Sequence, residues 1–379
     1  MNKNILKLLA VLVLICTLGT LLIGCNNKNK GDETPDAGNN GGENTNPPAG
    51  ETLNDYKLGL GVVVSLDSSV TGTAQIDGTV AAVVVGADGK IVSCRIDAIQ
   101  NKIGVTDGFI DVPSSFKTKM ELGADYGMGG KPYSPDRNGD GIVKEWDEQA
   151  LAFEAWCVGK TVDEVKNMAT QTQDDGYVIS ADDALLSAGC TIQVGDFVDA
   201  VVKACNDDQG VSFKSAGSFT VGVAVNSYND GSKDAEDEAT DGAVQVYSDI
   251  AASVVEDGKI LASLNDAIQP KIGVNIAGEI SSKTFNGTKR ELKENYGMGG
   301  KPYSPDNNGD GVVKEWYEQS AAFSAHVVGK TATEVQNLAT QTLENGYVIS
   351  SDDALLSAGC TIQITGIKTV VAKSVTNAR

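Results

Sequence analysis

Two short loops carry oxygen-bearing side chains at a spacing suited to a divalent cation. Counted from its first aspartate, each loop has such side chains at positions 1, 3 and 5, a glycine at position 6 and a glutamate at position 10. These residues are Asp136, Asn138, Asp140 and Glu145 in the first loop, and Asp306, Asn308, Asp310 and Glu315 in the second. Calcium takes several hard oxygen ligands at about 2.3–2.6 Å, and alternate side chains of such a loop point inward. The spacing therefore predicts a calcium site in each loop.

The spacing resembles the first half of an EF-hand calcium loop. In that family position 7 contributes a backbone carbonyl, which the resemblance assigns to Ile142 and Val312. An EF-hand closes with glutamate at position 12, where this chain has Asp147 and Tyr317, so we expect the glutamate at position 10 to close each loop. The alternative closing residues are Glu148 and Glu318. The alternative to a structural calcium ion is a solvated turn that binds nothing.

A second repeated motif is Ser-Ala-Gly-Cys-Thr, which ends at Thr191 and again at Thr361. With an upstream Asp-Gly-Lys-Ile hairpin and a following helix, it resembles the FMN-binding domain family, which includes surface lipoproteins that transfer electrons outside the cell. In that family a threonine is esterified to the FMN phosphate, and Thr191 and Thr361 match it by position. Cys190 and Cys360 stand beside them, where the family has alanine. The resemblance implies FMN at these four residues and an extracellular redox partner.

The order of small residues in this motif differs from the Ser-Gly-Ala-Thr of the family. The family aspartate six residues before the threonine is replaced by Leu185 and Leu355. Covalent flavin, noncovalent flavin and a flavin-free fold of the same shape therefore all stay open. The motif is also typical of a helix that ends at a glycine and is followed by a buried cysteine.

The N-terminus has the features of a targeting segment. Lys3 and Lys7 precede an apolar run, residues 8–23, which suits the core of a signal peptide. The run leads into Gly24 and Cys25, an ending that resembles the bacterial lipobox and implies cleavage before Cys25 and lipid attachment there. Two or more acyl chains anchor a protein stably to a membrane. We therefore expect residues 1–24 to be a lipoprotein signal peptide; the alternative is an ordinary signal peptide with an incidental cysteine.

Residues 25–56 consist mostly of Asn, Gly, Pro, Lys, Asp, Glu and Thr. Such a segment buries too little apolar surface to offset the entropy lost on ordering. We expect it to be a flexible linker that tethers the folded part, through lipidated Cys25, to the extracellular face of the cell membrane. The lipid anchor would make the membrane a partner of this protein.

The charge balance excludes one class of partner. The chain has 30 Lys and Arg residues against 51 Asp and Glu residues, a net charge of −21. A surface this acidic repels nucleic acid. The single histidine, His326, also excludes histidine-rich metal sites.

A long internal repeat sets the domain organisation. Residues 126–193 align with residues 296–363 at a constant offset of 170, and 52 of these 68 positions are identical. The unit is far longer than a solenoid repeat. We therefore expect two tandem homologous domains, residues 57–206 and 217–373, joined by a polar linker at 207–216.

Each unit has strand patterns first and helix patterns afterwards, which favours an α+β fold with an antiparallel sheet and segregated helices. In the first unit the predicted strands are Leu58–Leu66, Thr79–Val85, Ile91–Ile99 and Thr191–Val194, and the predicted last helix is Phe197–Cys205. Apolar residues spaced 4, 3 and 4 apart from Trp146 predict a helix, and Thr161 with Glu164 and Thr331 with Glu334 match capping boxes.

Five cysteines remain after Cys16 is cleaved away and Cys25 is lipidated, and four of the five lie in the first unit. A disulfide there is compatible with the sequence, which does not choose the pair. The first unit has no histidine to activate a nucleophile, and no acid–base pair stands out, so an enzyme is the third choice. The two leading hypotheses are a flavin-based electron relay at the cell surface and a non-redox, calcium-stabilised structural or ligand-binding lipoprotein.

Overall fold

The computed structural model of the chain describes residues 52–129, 136–139, 141–299, 306 and 311–379. Within these ranges α-helices accompany antiparallel β-sheets, which confirms the α+β class. None of the helices in these ranges is long and apolar enough to cross a membrane. The predicted signal peptide, Cys25 and all of the predicted tether before residue 52 lie outside the described residues.

The first copy of the repeat begins with long strands and continues with helices, as the sequence predicts. Its strands, with the one that follows it, are β1 (Asn54–Ser65), β2 (Thr73–Gly86), β3 (Ile91–Thr106), β4 (Phe109–Asp111), β5 (Thr170–Thr172), β6 (Val178–Ser180) and β7 (Val211–Ser215). Its helices are α1 (Lys119–Leu122), α2 (Trp146–Cys157), α3 (Val162–Lys166), α4 (Asp183–Ser187) and α5 (Gly195–Cys205). The main sheet is antiparallel in the order β4-β3-β2-β1-β7.

The second copy has the same order of elements except for one additional strand. Its strands are β8 (Thr220–Asn229), β9 (Gly242–Glu256), β10 (Lys259–Ile268), β11 (Lys271–Val274), β12 (Ile280–Thr284), β13 (Thr340–Thr342) and β14 (Val348–Ser350). Its helices are α6 (Lys289–Leu292), α7 (Trp316–His326), α8 (Ala332–Gln336), α9 (Asp353–Ser357) and α10 (Thr365–Thr376). Strand β9 pairs with β8, β10 and β11, and β11 pairs with β12.

A proline accounts for the main difference between the two sheets. The first copy has one strand, β3, where the second has two, β10 and β11, with Gln269 and Pro270 between them. Proline has no backbone N–H and interrupts a ladder of strand hydrogen bonds. The strand of the second copy is therefore broken at the position that Asn101 occupies in the first.

The two sheets share one apolar core. Side chains of β2 such as Val80 and Val84 contribute to the same buried cluster as Val223 on β8 and Ile250 on β9. Their alternating neighbours, such as Val83, instead pack against the helices of their own copy. Because β2 is buried on both faces, its apolar residues run continuously and do not alternate with polar ones. The described residues from 52 to 379 accordingly form one compact unit.

The segment predicted to be a linker, residues 207–216, contributes to this unit. It contains β7, which pairs with β1 from Leu58 to Asn54. Within it, the carboxylate of Asp207 accepts hydrogen bonds from the Arg290 guanidinium of the second copy at 3.0 and 3.2 Å. Both side chains of this ion pair are less than a tenth exposed. The segment therefore joins the copies through a strand and a buried ion pair.

The C-terminal residue makes a second connection between the copies. Its side chain, the Arg379 guanidinium, donates to both carboxylate oxygens of Glu154 on α2, at 2.8 and 3.0 Å. Its backbone carbonyl accepts a hydrogen bond from Arg95 on β3. Burial raises the pKa of Glu154, and the charge of Arg379 opposes that shift. The end of the second copy is thus held against the sheet and helix of the first.

Most of the predicted elements are confirmed. The first three strands, the helix at Trp146, the helix that ends at Cys205 and both capping boxes are present. The predicted strand Thr191–Val194 is wrong, because these residues connect α4 to α5. Their backbone is held by side chains instead: the Thr191 N–H donates to Gln149 Oε1 at 2.8 Å.

Candidate functional site

The first calcium-type loop folds around its first aspartate. One carboxylate oxygen of Asp136 accepts a hydrogen bond from the Gly139 N–H at 2.8 Å, and the other accepts one from the Gly141 N–H at 2.7 Å. In the second copy the Gly311 N–H donates to Asp306 at 2.7 Å. Each carboxylate oxygen carries two lone pairs, so these bonds leave acceptor capacity for a cation.

Neighbouring side chains attach this loop to the rest of the first copy. The Asn138 amide donates to the carbonyl of Leu186 at 3.1 Å. The Arg137 guanidinium donates to both carboxylate oxygens of Asp175, at 3.1 and 2.6 Å, and lies 4.6 Å from the Tyr177 ring centre. The loop is therefore held against the β5–β6 hairpin.

The two glutamates predicted to close the loops cap helices. Glu145 and Glu315 are the N-cap residues of α2 and α7. Glu145 Oε2 also accepts from the Met128 N–H at 2.7 Å, and Glu315 Oε2 accepts from the Met298 N–H at 2.8 Å. A carboxylate at a helix N-terminus complements the partial positive charge there. These contacts explain why glutamate suits position 10 without reference to a metal ion.

Position 12 distinguishes the two loops. In the first copy Asp147 Oδ1 is buried and has no hydrogen-bond partner among the described residues. In the second copy the Tyr317 hydroxyl donates to Glu294 at 2.9 Å. A buried unpaired oxygen costs about 1–3 kcal/mol. An ion-binding role therefore fits position 12 better in the first loop than in the second.

The rest of the predicted ligand set is described only in part. Asp140, Asn308 and Asp310 lie outside the described residues. Ile142 and Val312 are 61% and 58% exposed, which is high for apolar side chains. Within the part of the chain that the structure describes, no three His, Cys, Asp or Glu residues are grouped so that they could hold a metal ion. Calcium binding stays a prediction.

Three of the four residues predicted to hold FMN, Cys190, Thr191 and Cys360, are buried, and Thr361 is half-buried. Cys190 and Cys360 are fully buried, and burial raises the pKa of each thiol to about 12. The Thr191 and Thr361 hydroxyls lie 3.4 and 3.3 Å from the side-chain oxygens of Gln149 and Gln319, which also accept from the threonine N–H groups. These threonines therefore act as connections to α2 and α7.

The cysteines within the described residues are all free. Cys94 and Cys157 lie side by side, and the hydrogen bond between their side chains, together with burial, raises the pKa of Cys94. A raised pKa keeps the thiol protonated and unreactive near neutral pH. These residues are a structural feature of the first copy, because the second has Ser263 and Val327 in the corresponding places.

A cleft that the sequence reasoning missed lies in the second copy. Its volume is about 750 Å³, in the range of sites that take small organic ligands. It opens between β8, β9, the start of α10 and the residues around Trp316. Its lining combines aromatic rings, amide side chains and hydroxyl groups: Tyr228, Tyr247, Tyr296, Trp316, Tyr347, Asn226, Gln245, Gln269, Gln363, Thr365 and Thr369.

Two tyrosines on neighbouring strands form one wall of the cleft. Tyr228 on β8 lies directly opposite Tyr247 on β9, and their rings stack with centres 5.2 Å apart. Tyr228 is 40% exposed, whereas Tyr247 is 9% exposed. Cross-strand aromatic pairs stabilise a sheet by up to about 1 kcal/mol. The outer ring therefore presents an apolar surface on a fixed support.

A buried ammonium group, that of Lys289, lies against three aromatic rings of the cleft. Lys289 Nζ is 4.6 Å from the centre of the Tyr247 ring, 4.5 Å from that of Tyr296 and 5.5 Å from that of Trp316. Its residue is only 7% exposed. Aromatic faces attract cations, and burial strengthens this attraction. The positive charge is therefore held by the protein itself.

A buried aspartate lies in the same wall. Asp249 is 3% exposed, and its Oδ2 has no hydrogen-bond partner among the described residues. Burial raises its pKa to about 7, although the charge of Lys289 and a hydrogen bond with Tyr228 oppose the shift. A Cβ atom at Gly366, on the first turn of α10, would lie only 2.0 Å from Oδ2. Glycine is therefore required there while Asp249 keeps this position.

The first copy carries different residues in the corresponding places. Asp249 pairs with Ala267 in the second copy, and Thr79 pairs with Ala98 in the first. Because Ala267 and Ala98 occupy the same place in the repeated Asp-Ala-Ile-Gln segment, Asp249 corresponds to Thr79. The same register aligns Tyr247 with Asp77, and Tyr228 with Ser65. The constant offset of 170 aligns Gly366 with Asp196. The first copy therefore lacks the tyrosine pair, and its acidic groups are Asp77 on the strand and Asp196 on the helix, at positions where the second copy has Tyr247 and Gly366.

No family model, curated protein or solved structure matches this chain.

Proposed function

We propose that this chain is a lipid-anchored surface protein that binds a small molecule in the cleft of the second copy, without redox chemistry of its own. In this proposal two homologous lobes stand at the extracellular face of the membrane, after the tether of residues 25–56. The single observation that supports binding is the cleft itself, where exposed Tyr228 and buried Asp249 meet in one wall.

The arrangement favours binding over catalysis. Enzyme sites bring a nucleophile or an acid–base pair within hydrogen-bond reach of the reacting atoms. The cleft has amide and hydroxyl groups, together with one ammonium that is already surrounded by aromatic rings. Its two carboxyl groups are Asp230, which accepts a hydrogen bond from Gln269 at 3.0 Å, and Asp249, which is only 3% exposed. The amide and hydroxyl groups orient a ligand, and they are neither strong acids nor strong bases near neutral pH.

Membrane anchoring rests on the lipobox-like ending at Cys25. The test is to express the full chain and its Cys25→Ser variant in a lipoprotein-processing bacterium and to separate membranes from the medium. We expect the parent chain in the membrane fraction and the variant outside it. Equal partition of the two chains would contradict anchoring through Cys25.

Calcium is proposed as a structural ion of the loops, with Asp136, Asn138, Asp140 and Glu145 as ligands in the first copy. What supports this is the folding of the first loop around Asp136 and the unpaired Asp147 oxygen at position 12. A bound calcium ion would neutralise acidic groups that otherwise repel each other. It would stiffen the loop and would not take part in ligand chemistry.

A flavin relay is the second candidate function. The cleft is lined by Ile362 and Gln363, which directly follow Thr361, so a flavin bound noncovalently there would lie beside the predicted threonine. Visible flavin absorbance in the purified chain, or uptake of added FMN, would support the relay. A colourless chain that takes up no FMN would refute it.

The test of small-molecule binding is a thermal-shift screen of the purified folded chain, residues 52–379. The panel contains flavins, uncharged saccharides, amino acids and quaternary amines. We expect at least one class to raise the melting temperature of the parent chain, and the Tyr228→Ser variant to lose that shift. The matched control is Ser65→Ala, which alters the corresponding position of the first copy. A parent chain that responds to nothing, or a response that Tyr228→Ser leaves intact, would overturn the proposal.

A further inference from the structure

The groups that line the cleft define the chemistry of the ligand, and the inference here rests on the proposed binding function. Four of them are amide side chains: Asn226, Gln245, Gln269 and Gln363. Others are the hydroxyl-bearing residues Thr365, Thr369 and Tyr228. Amides and hydroxyls both donate and accept hydrogen bonds. The best complement is a ligand whose own polar groups also do both, which is the property of alcohol hydroxyls.

Charge argues against an ionic ligand. The ammonium of Lys289 already occupies the space next to Tyr247, Tyr296 and Trp316, so a ligand cation at these rings would meet a like charge. A ligand anion would approach the carboxylate of Asp230 in the same cleft, on a chain with a net charge of −21. Like charges at short range oppose binding. An uncharged ligand avoids both penalties.

The exposed ring adds a second requirement. Tyr228 is fixed by stacking on Tyr247, and two-fifths of its surface faces solvent. A flat face made of C–H groups packs on such a ring and gains from its burial. A molecule with one C–H face and hydroxyls around its edge therefore fits both the ring and the amides.

We propose that the cleft of the second copy binds an uncharged saccharide, with its C–H face on Tyr228 and its hydroxyls paired to the amides. The volume of about 750 Å³ leaves room for more than one sugar ring.

The differences between the copies indicate that only the second copy has the residues proposed to bind a saccharide. Where the second copy has Tyr228, Tyr247 and Asp249, the first has Ser65, Asp77 and Thr79. Asp77 is already bonded, since both of its carboxylate oxygens accept from Gln75 at 2.8 Å. The first copy thus offers no exposed ring at this place and directs its acidic group to a protein partner.

The experiment measures dissociation constants by titration calorimetry for the folded chain, residues 52–379, with uncharged mono- and disaccharides. Glucuronic acid, glucosamine, choline and FMN are titrated in parallel. We expect at least one uncharged saccharide to bind, its affinity to fall at least tenfold in Tyr228→Ser, and Ser65→Ala to bind like the parent chain. The charged sugars should bind more weakly than their uncharged counterparts.

Three different failures are distinguishable. If choline, FMN or a charged sugar binds and Tyr228→Ser abolishes it, while uncharged saccharides do not bind, the saccharide class is overturned and small-molecule binding stands. If no compound of any class binds to the parent chain, both the saccharide and the binding function are overturned. If a saccharide binds equally well to Tyr228→Ser, the assigned site is wrong. A circular dichroism spectrum of each variant confirms that it is folded.

Discussion

The first and second copies are identical at 52 of 68 positions over residues 126–193 and 296–363, and they differ more in the strands and the helix start that surround the cleft. Thr79 and Asp196 in the first copy correspond to Asp249 and Gly366 in the second, so the carboxylate has moved from the helix to the strand. The two copies therefore have the same fold but carry different side chains at the positions that line the cleft in the second copy. The shared block supplies part of the cleft, including Tyr296 and Trp316, while Tyr228, Asp249 and Gly366 lie outside it.

Among the variants considered, Gly366→Asp should have the largest effect on the free energy of unfolding. Gly366→Asp places the first-copy residue opposite Asp249, where even a Cβ atom would lie 2.0 Å from Oδ2. Overpacking together with two buried carboxylates should lower the free energy of unfolding by about 3 kcal/mol. Urea denaturation of the parent chain and the variant measures the difference.

The rescue variant sharpens this test. Combining Gly366→Asp with Asp249→Thr recreates the first-copy pair in the second copy, and we expect it to recover most of the lost stability. The control, Asp196→Gly, removes a carboxylate whose pKa is raised by burial and by nearby Asp199 and Asp77, so it should not destabilise through charge. A single Gly366→Asp variant as stable as the parent would contradict the equivalence of these positions.

The second comparison concerns the two calcium-type loops. A ligand that binds only the folded state at a hundred times its dissociation constant stabilises by about 2.7 kcal/mol. EDTA should therefore lower the melting temperature of the parent chain. Asp136→Ala should remove more of this EDTA response than Asp306→Ala, because only the first loop has an aspartate, Asp147, at position 12. Differential scanning calorimetry with and without EDTA measures each response.

The readout of that experiment is the EDTA response of each variant, since Asp136→Ala also removes two backbone hydrogen bonds and lowers stability on its own. The double variant with Asp306→Ala should not respond to EDTA at all. A parent chain whose melting temperature is the same with and without EDTA would refute the calcium assignment for both loops.

The pH dependence of stability should give a smaller effect. Burial raises the pKa of Asp249 to about 7, from an ordinary value of 3.8. The folded state therefore holds this proton more tightly than the unfolded state does, so the stability it contributes at low pH is lost as pH rises from about 4 to about 7. Asp249→Asn cannot titrate and should flatten this part of the profile. The control Thr79→Asn should leave the slope unchanged.

Urea midpoints at pH 5, 6, 7 and 8 test this prediction. Buried Asp97 and Asp266, whose pKa values burial raises to about 6, titrate in the same direction and are present in all three chains. The difference between Asp249→Asn and the parent chain isolates the contribution of Asp249. Identical slopes for these two chains would show that Asp249 does not hold its proton in the folded state.

The local part of the fold could be predicted from the sequence. The valine-rich strands, the helix at Trp146 and the capping boxes at Thr161 and Thr331 depend on neighbouring residues, and all are present. The shared core could not be predicted in the same way. The apolar run from Val80 to Val84 indicates burial on both faces, but it does not identify the second sheet as what covers one of them.

The cleft was missed for a similar reason. Tyr228, Asp249 and Gly366 come from three distant parts of the chain, and none lies in the highly identical block that draws attention first. Their proximity depends on strand register and on where α10 begins. A signal was available in the differences between the copies: a tyrosine where the first has Ser65, and a glycine where it has Asp196. Substitution within a repeat at exposed or strained positions indicates divergent function.

The most direct test of the central claim is the number of ligand sites per chain. It is measured by titration calorimetry with the compound that gives the largest thermal shift, on the parent chain, Tyr228→Ser and Ser65→Ala. The account predicts one site per chain, weakened at least tenfold by Tyr228→Ser and unchanged by Ser65→Ala. Two equal sites per chain, or a single site that Ser65→Ala removes, would contradict the claim that only the second copy binds.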